Sequence, residues 1–358
     1  MNVPYQQLPP LPPSQDLNTP AIIRRMVAAS RALAGVDAVA RRLPNPNILI
    51  HNIPLLESQA SSEIENIVTT NDELFRAALN IDELTPTTRE ALNYRKALYM
   101  GLEHVKERGF SVNAAKLVCS AIRGSNIDIR HATGTYIGNP ATKRRIYTPP
   151  EGKTVILEHL SKWESFAHDN SIGLDPLVKM ALLHYQFEAI HPFSDGNGRT
   201  GRILNVLYLV DSGLLEMPIT YLSGYIVQNK DEYYRLLNNV TQKGQWVEWI
   251  EYMLTAVEVT SLWTEKLIGE IYTQLDETIT KLAQTKLPSR DLTYLLYRLP
   301  YLRYRDITES LNISRPTAIK WAGQLSELGI VRQLKIGRNK VLVNHRYLDV
   351  LFNTSLPA

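Results

Sequence analysis

The twelve residues 191–202, HPFSDGNGRTGR, constrain the fold more than any other feature, because they join two apolar segments with helical spacing. Residues 177–190 carry apolar side chains at helical spacing, and the preceding Asp175 and Pro176 are a typical helix start. Residues 203–210 are again apolar and predict a second buried helix. Gly196 and Gly198 allow positive φ angles and a close approach of the backbone to a ligand. We therefore expect two core helices joined by a tight turn.

The residue types in this turn favour phosphate chemistry. A helix N-terminus presents unpaired N–H groups and the positive end of the helix dipole, so it is a natural anion site. Arg199 and Arg202 lie three residues apart on one helix face and can each bind phosphate oxygens in a bidentate manner. Asp195 can hold Mg²⁺, which is usually bound by one or two carboxylates together with substrate phosphates. His191 is then the candidate general base near neutral pH.

The same segment resembles the Fic signature HPFx(D/E)GNGRxxR, and every specified position is filled. Fic proteins are mostly AMP transferases, which move AMP from ATP to a hydroxyl side chain of a target protein. The resemblance implies that His191 deprotonates this hydroxyl, that Asp195 binds Mg²⁺, and that pyrophosphate is released. It also implies that Asn197 and the adjacent backbone hold the α- and β-phosphates, while the two arginines hold the outer phosphates. The nucleotide-binding residues implied here are Gly196, Asn197, Gly198, Arg199, Thr200, Gly201 and Arg202.

His191 and the nearby His184 also allow other interpretations. A lone histidine before Pro-Phe is more often a packed loop residue, and the surrounding motif is what favours a base at position 191. His184, one turn before Glu188, could suggest a metal site with His191. The segment lacks the metalloprotease spacing of two histidines four residues apart with a glutamate, so we expect His184 to be structural.

A second motif lies near the N-terminus, where residues 61–66, SSEIEN, fit the pattern (S/T)xxxE(G/N) of the self-inhibiting helix in Fic proteins. The resemblance implies that Ser61, Glu65 and Asn66 are inhibitory, with Glu65 forming a salt bridge to Arg202 where the γ-phosphate should lie. Alternatively, Ser62 and Glu65 form a capping box at a helix start. In some relatives the same glutamate activates water to remove AMP, and the sequence leaves restraint and reversal open.

Two further segments resemble parts of the family. Residues 133–150 contain glycines, prolines and a basic run, and predict a hairpin or flap. The resemblance implies that a target protein docks there by strand addition, although a plain surface hairpin is the alternative. Tyr233 and Tyr234 resemble the segment that forms the adenine pocket, although such a pair more often serves packing. Thr241 stands where some relatives have an asparagine, which makes the nucleotide preference less secure.

Composition narrows the class of protein. A chain of 358 residues, 44% of them hydrophobic, is long enough for two or three compact units. The single cysteine, Cys119, excludes an internal disulfide framework and is compatible with a reducing cytosol, so we expect a cytoplasmic protein. No run of about 18 apolar residues is present to span a bilayer, so no membrane partner is expected. The proline-rich start lacks the pattern of a secretory signal and predicts an extended arm.

The last 74 residues form a basic segment of their own. Residues 285–358 carry a net charge of +7, whereas the remaining chain carries −4. Their pattern predicts three short helices, the third running from the N-cap Ser314 to about Leu328 with Ile319 and Leu325 in the core, and then a two-stranded wing over 330–343. This order resembles a winged helix-turn-helix. Its candidate contacts to DNA or a partner protein are Arg315, Thr317, Lys320 and Arg338, and both uses stay open.

The expected fold is mainly α-helical, with a Fic-type helical core, a small β-hairpin flap and a C-terminal winged helix-turn-helix domain. The expected divisions are an arm (1–16), an N-terminal helical region (17–110), a catalytic core (111–260), a linking helix (261–284) and the winged domain (285–358). The expected function is Mg²⁺-dependent protein adenylyltransferase activity with ATP as substrate, held in check by Glu65. The alternatives are transfer of another nucleotide or phosphate group, and a nucleotide-sensing regulator that binds DNA. A homodimer is plausible, but no residue establishes it.

Overall fold

The computed structural model describes residues 3–78, 84–139, 144–336, 339–353 and 356. Within these ranges the chain forms fifteen α-helices, one short 3-10 helix and five short strands. The prediction of a mainly helical fold is therefore confirmed. None of the helices in these ranges is both long and apolar enough to cross a lipid bilayer.

The elements follow one another along the chain in a simple order. The helices are α1 (Pro20–Arg42), α2 (Asn47–Ile64), α3 (Asn71–Ala78), α4 (Pro86–Arg108), α5 (Val112–Arg123), α6 (Lys153–His168), α7 (Pro176–Ile190), α8 (Asn197–Asp211), α9 (Leu222–Gln228), α10 (Lys230–Lys243), α11 (Trp246–Ala283), α12 (Ser289–Arg298), α13 (Tyr304–Leu311), α14 (Arg315–Glu327) and α15 (His345–Asn353). The strands are β1 (Ile137–Asn139), β2 (Arg144–Tyr147), β3 (Tyr301–Arg303), β4 (Arg332–Ile336) and β5 (Asn339–Val343). The 3-10 helix is Asn170–Ile172.

The two helices predicted around the signature segment are α7 and α8, and both lie in the core. The side chain of Asp175 caps α7 by accepting a hydrogen bond from the backbone N–H of Leu177 at 2.8 Å. Almost every side chain of α7 is buried, as expected for a helix that is apolar on all sides. Because neighbouring helices hold α7 and α8 on several sides, the turn between them has a fixed position.

Two hydrophobic cores share the molecule. The first surrounds α7 and α8 and includes side chains of α5, α6 and the first half of α11. The second is built from α2, α3, the second half of α11 and the C-terminal elements α12 to α15. Helix α2, which carries residues 61–64 in its last turn, thus packs with the C-terminal unit as well as against α4 and α9.

The expected division between a catalytic core and a linking helix at residues 260 and 261 is not visible as a break. Helix α11 runs without interruption from Trp246 to Ala283, and its buried side chains extend from Trp246 to Leu282. A continuous apolar face explains this, because the helix contains no proline and the hydroxyl of Thr260 donates within the helix, to the carbonyl of Ala256 at 2.7 Å. Helix α11 therefore serves both cores.

The C-terminal unit contains the three predicted helices, α12 to α14, followed by the predicted pair of strands, β4 and β5, whereas β3 and α15 were not predicted. Its antiparallel sheet has the strand order β3-β5-β4, and Ser314 caps α14 by accepting from the N–H of Thr317 at 3.3 Å. The order of these elements resembles that of a winged helix-turn-helix. The prediction that Ile319 lies in the core is wrong, since 49% of this residue is exposed. Helix α14 instead buries the face formed by Ala318, Ala322 and Leu325.

The proline-rich start lies along the molecule without regular secondary structure over residues 3–19. The N–H of Tyr5 donates to the carbonyl of Thr148 at 3.0 Å, and the side chain of Gln186 donates to the carbonyl of Pro9 at 3.3 Å. Leu17 is buried in the first core. The arm thus packs against α7 and the segment after β2, and its extended form stays a prediction.

Candidate active site

His191 ends helix α7 in an unusual backbone conformation. Its φ is 49°, in the left-handed region that non-glycine residues seldom occupy, and its N–H donates to the carbonyl of Phe187 at 3.0 Å. Burial of the imidazole and, second, the positive charge of Arg130 lower the pKa of His191 to about 4. The ring is therefore neutral near pH 7 and is able to accept a proton.

The side chain of Asn197 closes the loop that follows His191. Its Oδ1 accepts from the N–H of Phe193 at 2.8 Å, and its Nδ2 donates to the carbonyl of the same residue at 2.8 Å. The amide of Asn197 is thus used within the loop. Asn197 can still bind a phosphate through its backbone N–H, because the N–H groups in the first turn of α8 have no acceptor within the helix.

The two glycines of this loop differ in their roles. Gly196 has a φ of 84°, which favours glycine, whereas Gly198 lies within α8 and has no positive φ. The expectation of positive φ at both positions is therefore wrong for Gly198. A Cβ atom at Gly198 would lie 2.3 Å from Oε1 of Glu65 and 2.9 Å from Nη1 of Arg202. The lack of a side chain at Gly198 leaves room for the Glu65 carboxylate and the Arg202 guanidinium to meet beside the first turn of α8.

Both arginines of the motif are buried and paired with carboxylates. The guanidinium of Arg199 pairs with Glu90 of α4. The Nη2 atom of Arg202 donates to Oε1 of Glu65 at 2.9 Å and to the carbonyl of Ser61 at 2.9 Å, and its Nε donates to Oγ of Ser61 at 2.8 Å. Helix α2 thereby contacts the side chain that was predicted to hold the outer phosphates.

Thr200 and Gly201 are the remaining predicted residues of this segment, and both are buried in the first turns of α8. The N–H of Thr200 already donates to the carbonyl of Gly196 at 3.0 Å. A Cβ atom at Gly201 would lie 2.4 Å from Oε1 of Glu188. Gly201 therefore allows the close packing of α8 against α7, Thr200 lies beside Cys119 of α5, and the free N–H groups precede both residues.

Glu65 lies at the end of a helix rather than at its start. It is the C-terminal capping residue of α2, and the following Asn66 has a φ of 61°. The alternative interpretation of Ser62 and Glu65 as a capping box is therefore wrong, because that motif requires a helix N-terminus. Asn66 itself accepts a hydrogen bond from Lys230 at 2.9 Å and does not reach Arg202 in the described contacts.

The Glu65 carboxyl is ionised near neutral pH. Burial by itself would raise its pKa, but the charge of Arg202 and the hydrogen bond from it outweigh burial, so the pKa of Glu65 is lowered. The carboxylate is also only one-third exposed. The negative charge of the Glu65 carboxylate therefore lies against the Arg202 guanidinium, beside the N-terminus of α8.

Asp195 is the exposed carboxylate of the site. Its Oδ1 accepts from the N–H of Gly196 at 2.6 Å, and its Oδ2 pairs with Arg123 at 2.7 Å. In the described ranges no group of three or more His, Cys, Asp or Glu side chains could hold a metal ion. A single carboxylate beside a phosphate site still fits Mg²⁺, because the metal takes its other ligands from phosphates and water. With 57% of its side chain exposed, Asp195 is accessible for this role.

Two buried acids near Arg202 escaped the sequence analysis. Glu57 of α2 accepts from the N–H of Ser223 at 3.0 Å and from the hydroxyl of Tyr94 at 3.2 Å, and burial raises its pKa to about 7. Burial likewise raises the pKa of Glu188 to about 7. The signal for Glu57 was its position directly after the largely apolar segment 48–56. Glu90 carried no comparable signal.

The structure separates the two predicted adenine-pocket tyrosines. Tyr233 exposes only 1% of its surface, and its hydroxyl lies 2.8 Å from Nε2 of His184. Tyr234 is 41% exposed and lines a cavity of about 110 Å³ beneath the flap. His184 is buried and stacks on Trp249, in agreement with its predicted structural role. The other cavity-lining residues are Ile137, Ile146, Tyr147, Tyr185, Glu188, Ala189, Leu237, Asn238 and Thr241.

The predicted flap contains an antiparallel hairpin of β1 and β2, with Ile137 opposite Tyr147. The hydroxyl of Tyr147 donates to the carbonyl of Ala189 at 2.7 Å and so ties β2 to α7. Residues 140–143, at the tip of the predicted flap, lie outside the described residues. The hairpin therefore lies directly above the helix that ends at His191.

The candidate contact residues of the winged unit lie apart from this site. Arg315 and Lys320 are exposed on α14, and Thr317 is partly exposed, whereas Arg338 lies outside the described residues. Helix α14 belongs to the second core, and α7 and α8 belong to the first. These residues can therefore serve a surface of their own but are not part of the loop at His191.

Comparison with protein families gave three matches along the chain. A model described as "Fic/DOC family N-terminal" matches residues 23–103, and one described as "Fic/DOC family" matches residues 121–209. A third, "Protein adenylyltransferase SoFic-like, C-terminal domain", matches residues 265–347. The matched segments include α2, the loop at His191 and the winged unit.

Individual relatives resemble parts of the chain. Protein adenylyltransferase fic-1 of Caenorhabditis elegans is 30% identical over 128 residues, which are 36% of this chain and 23% of that protein. A probable protein adenylyltransferase of Aquifex aeolicus is 46% identical over 57 residues, which are 16% of this chain and 18% of that protein. The matches thus span less than a quarter of the length of these curated relatives.

Solved structures share the fold at low sequence identity. A Fic family protein from Desulfovibrio desulfuricans G20 has a TM-score of 0.60 at 18% identity, covering 94% of this chain and 98% of that one. Fic-1 (residues 134–508) from C. elegans has a TM-score of 0.52 at 19% identity, covering 71% of this chain and 75% of that one. The match to the Desulfovibrio desulfuricans protein covers nearly the whole of both chains.

Proposed function

Since this chain belongs to the Fic family, we propose that it is a protein adenylyltransferase, which transfers AMP from ATP to a hydroxyl side chain of a target protein. The observation that carries the proposal is the grouping of a neutral His191, the N-terminus of α8 and Arg202 around one loop. These groups supply a base, unpaired N–H donors and a cation. Each of these groups can assist the transfer of a phosphate-containing group.

The chemistry follows from their roles. His191 takes the proton of the target hydroxyl, whose oxygen then attacks the α-phosphorus of ATP. The new O–P bond forms as the bond to the bridging oxygen of pyrophosphate breaks, and pyrophosphate leaves with the electron pair. The N–H groups at the start of α8 and the side chains of Arg199 and Arg202 stabilise charge on the phosphates. When bound at Asp195, Mg²⁺ would neutralise negative charge on the phosphate oxygens.

The ion pair between Glu65 and Arg202 supports a restrained resting state. The carboxylate takes up the Nη2 donor that the outer phosphate needs, and its negative charge repels a phosphate at the same place. ATP can still enter the site, but in a pose unsuited to in-line attack. The same ionised carboxylate is also able to accept a proton from water, which is the requirement for the reverse removal of AMP.

The flap supports a protein as the acceptor. Strand β1 offers a backbone edge above α7, and Tyr136 and Ile146 each leave more than 40% of their surface exposed there. An extended segment of a target can pair with such an edge through main-chain hydrogen bonds. The hydroxyl to be modified would then be carried towards the loop at His191.

The experiment that tests the proposal compares ATP labelled at the α-phosphate with ATP labelled at the γ-phosphate. In the Glu65→Gly protein, label from the α-phosphate is expected to remain on protein after denaturation, and label from the γ-phosphate is expected in pyrophosphate. Retention of the γ-label would instead indicate transfer of phosphate. Retention of neither label, with ATP binding demonstrated, would contradict group transfer to protein.

Replacement of Asp195 tests the role of the metal. In the Glu65→Gly background, Asp195→Ala is expected to raise the Mg²⁺ concentration for half-maximal labelling by about tenfold, because one ligand worth roughly 1.4 kcal/mol is lost. The measurement is a Mg²⁺ titration of the labelling rate at fixed ATP. Asp276→Ala, an exposed carboxylate on α11, is the control. An unchanged titration curve for Asp195→Ala would remove the metal role.

The lowered pKa of His191 predicts the pH profile. A free histidine with its usual pKa of 6.5 would lose the neutral form below that pH, but the neutral form of His191 persists down to a pKa of about 4. In the Glu65→Gly protein, kcat/KM for ATP is therefore expected to stay level from about pH 8 to about pH 5.5 and to fall only below that. A fall in kcat/KM centred near pH 6.5 would instead show that burial and Arg130 do not lower the pKa of His191.

A second candidate function, DNA binding, is favoured by the basic surface of the winged unit. Arg315 and Lys320 on α14 and Lys335 and Lys340 on the wing are exposed, at the positions that face DNA in winged helix-turn-helix proteins.

For this function, Arg315→Ala combined with Lys320→Ala is expected to weaken duplex DNA binding about tenfold and to flatten its salt dependence, whereas Arg24→Ala on α1 should not. The check is a fluorescence titration at several salt concentrations. Equal binding by all three proteins would exclude this surface.

A further inference from the structure

Arg130 is a buried arginine that contacts the catalytic loop through its backbone. It lies directly before the predicted flap and is 4% exposed. Its Nε donates to the carbonyl of His191 at 2.7 Å, and its Nη2 donates to the carbonyl of Pro150 at 2.5 Å and, more weakly, to that of Ile190 at 3.4 Å. Its own backbone N–H donates to the carbonyl of Pro192 at 3.0 Å. Three consecutive residues, 190–192, are thus held by this one residue.

The electrostatic setting of Arg130 is unusual. No ion pair in the described ranges includes this guanidinium, and its Nη1 atom has no hydrogen-bond partner among the described residues. Burial lowers the pKa of Arg130, and the negative charge of Glu151, which opposes this shift, does not outweigh it. A buried cation that is not paired with a carboxylate is unfavourable for stability. The role that explains a buried cation at this position is to hold the carbonyl groups of residues 190–192 in one geometry.

The contacts of Arg130 also join the two ends of the flap. Arg130 precedes residues 133–150, and Pro150 ends them, so the hydrogen bond between the two closes the base of the flap. The carboxylate of Glu151 accepts from the N–H of Gly134 at 2.6 Å and closes it a second time, without contacting His191. Only Arg130 therefore connects the base of the flap with the loop that carries the imidazole, among the described contacts.

We propose that Arg130 is a positioning residue that couples the flap to His191, so that the target docked on the flap and the base that deprotonates it keep a fixed relative position. The inference rests on the proposed AMP transfer and names a residue that this chemistry requires besides the signature segment. The left-handed backbone conformation of His191 must be stabilised by contacts from outside the loop. A planar guanidinium can provide them, because it binds two carbonyl groups in fixed directions at once. An ammonium group cannot reproduce this geometry.

Arg130→Lys in the Glu65→Gly background tests the coupling, since it keeps the positive charge and removes the planar fork. The labelling rate at saturating ATP is expected to fall by about tenfold or more, because small displacements of a base from its substrate are costly. The Kd for ATP is expected to change by less than about twofold, since no contact of Arg130 reaches α8. Glu151→Ala is the matched control, and its labelling rate should stay within about twofold of the parent.

Three outcomes of this comparison would overturn the proposal. An unchanged labelling rate in Arg130→Lys would show that the contacts do not position the base. A parallel loss of ATP affinity and labelling rate would show a general structural role instead. A fall in Glu151→Ala equal to that in Arg130→Lys would assign the effect to closure of the flap rather than to the contact with His191, and would also count against it.

Hydrogen exchange gives a readout that does not depend on AMP transfer. In Arg130→Lys, the amides of His191 and Phe193 are expected to exchange at least about tenfold faster, while that of Leu207 in α8 stays unchanged. If the Glu65→Gly parent shows no labelling, the proposed AMP transfer fails, and exchange alone decides whether Arg130 holds the loop. Unchanged exchange at His191 and Phe193 would overturn the positioning role, whatever the labelling result.

Discussion

Replacement of Glu65 by glycine is expected to raise the rate of ATP-dependent protein labelling by about 100-fold, equivalent to ~2.7 kcal/mol of activation free energy. The reason is that Oε1 of Glu65 lies 2.9 Å from Nη2 of Arg202 and places a negative charge where an outer phosphate must bind. Removing the side chain breaks the contact of Nη2 with Glu65 and ends the repulsion, while the guanidinium stays bound to Ser61. The measurement is the initial rate of transfer of α-labelled AMP in the wild-type and variant proteins.

Glu63→Gly is the matched control for this result. Glu63 lies in the last turn of α2, and its carboxylate accepts from Gln59 at 2.8 Å rather than from an arginine. The same substitution there introduces the same glycine flexibility but leaves the ion pair of Arg202 intact. Equal labelling by the wild-type and Glu65→Gly proteins, or equal activation by Glu63→Gly, would contradict restraint by Glu65.

The second large effect is expected for His191→Ala in the Glu65→Gly protein, where labelling should fall by about 1,000-fold or more. Loss of a general base typically removes a factor of 10²–10⁴, and no other described group of the loop is a neutral base. The Kd for ATP should change little, because the phosphates are expected to bind to α8 and to Arg202. Labelling by rapid quench and ATP binding by calorimetry separate the two steps.

His104→Ala, on helix α4 and outside the described contacts of the loop, is the control for the loss of a histidine side chain. Its labelling rate should match that of the Glu65→Gly parent. Labelling by Glu65→Gly/His191→Ala at the parent's rate would show that another group takes the proton. Loss of ATP binding in that variant would mean that the imidazole supports the loop rather than the chemistry.

Features that depend on neighbours along the chain were predictable from the sequence. Asp175 and Pro176 start α7, Gly196 makes the turn, and Ser314 starts α14, because each acts on backbone groups within a few residues. The mainly helical fold, and the three helices and the hairpin of the C-terminal unit, follow from the same local patterns, whereas β3 and α15 were not predicted. The capping box at Ser62 and Glu65 was wrong, since a short polar pattern fits a helix end as well as a start.

Features that depend on distant packing were not predictable. The burial of Tyr233 and the exposure of Ile319 are decided by which face of α10 or α14 meets another element, and periodicity alone leaves a rotation of one residue open. The use of the Asn197 amide within its own loop depends on the fold of that loop. The contacts of Arg130 with residues 190–192 span about sixty positions and leave no pattern in the sequence.

By itself, the sequence determined which chemical groups stand together at the start of α8, because His191, Asp195 and the two arginines of the motif lie within twelve residues. Only the tertiary structure decided which carboxylate meets which arginine. Glu65 is 137 positions from Arg202, and Glu90 is 109 positions from Arg199. Such pairs form only when helix packing brings the charges within a few ångströms, where Coulomb attraction in a buried setting is strong. The local motif thus specifies the reacting groups, and the packing of α2 and α4 against α8 specifies their partners in the resting protein.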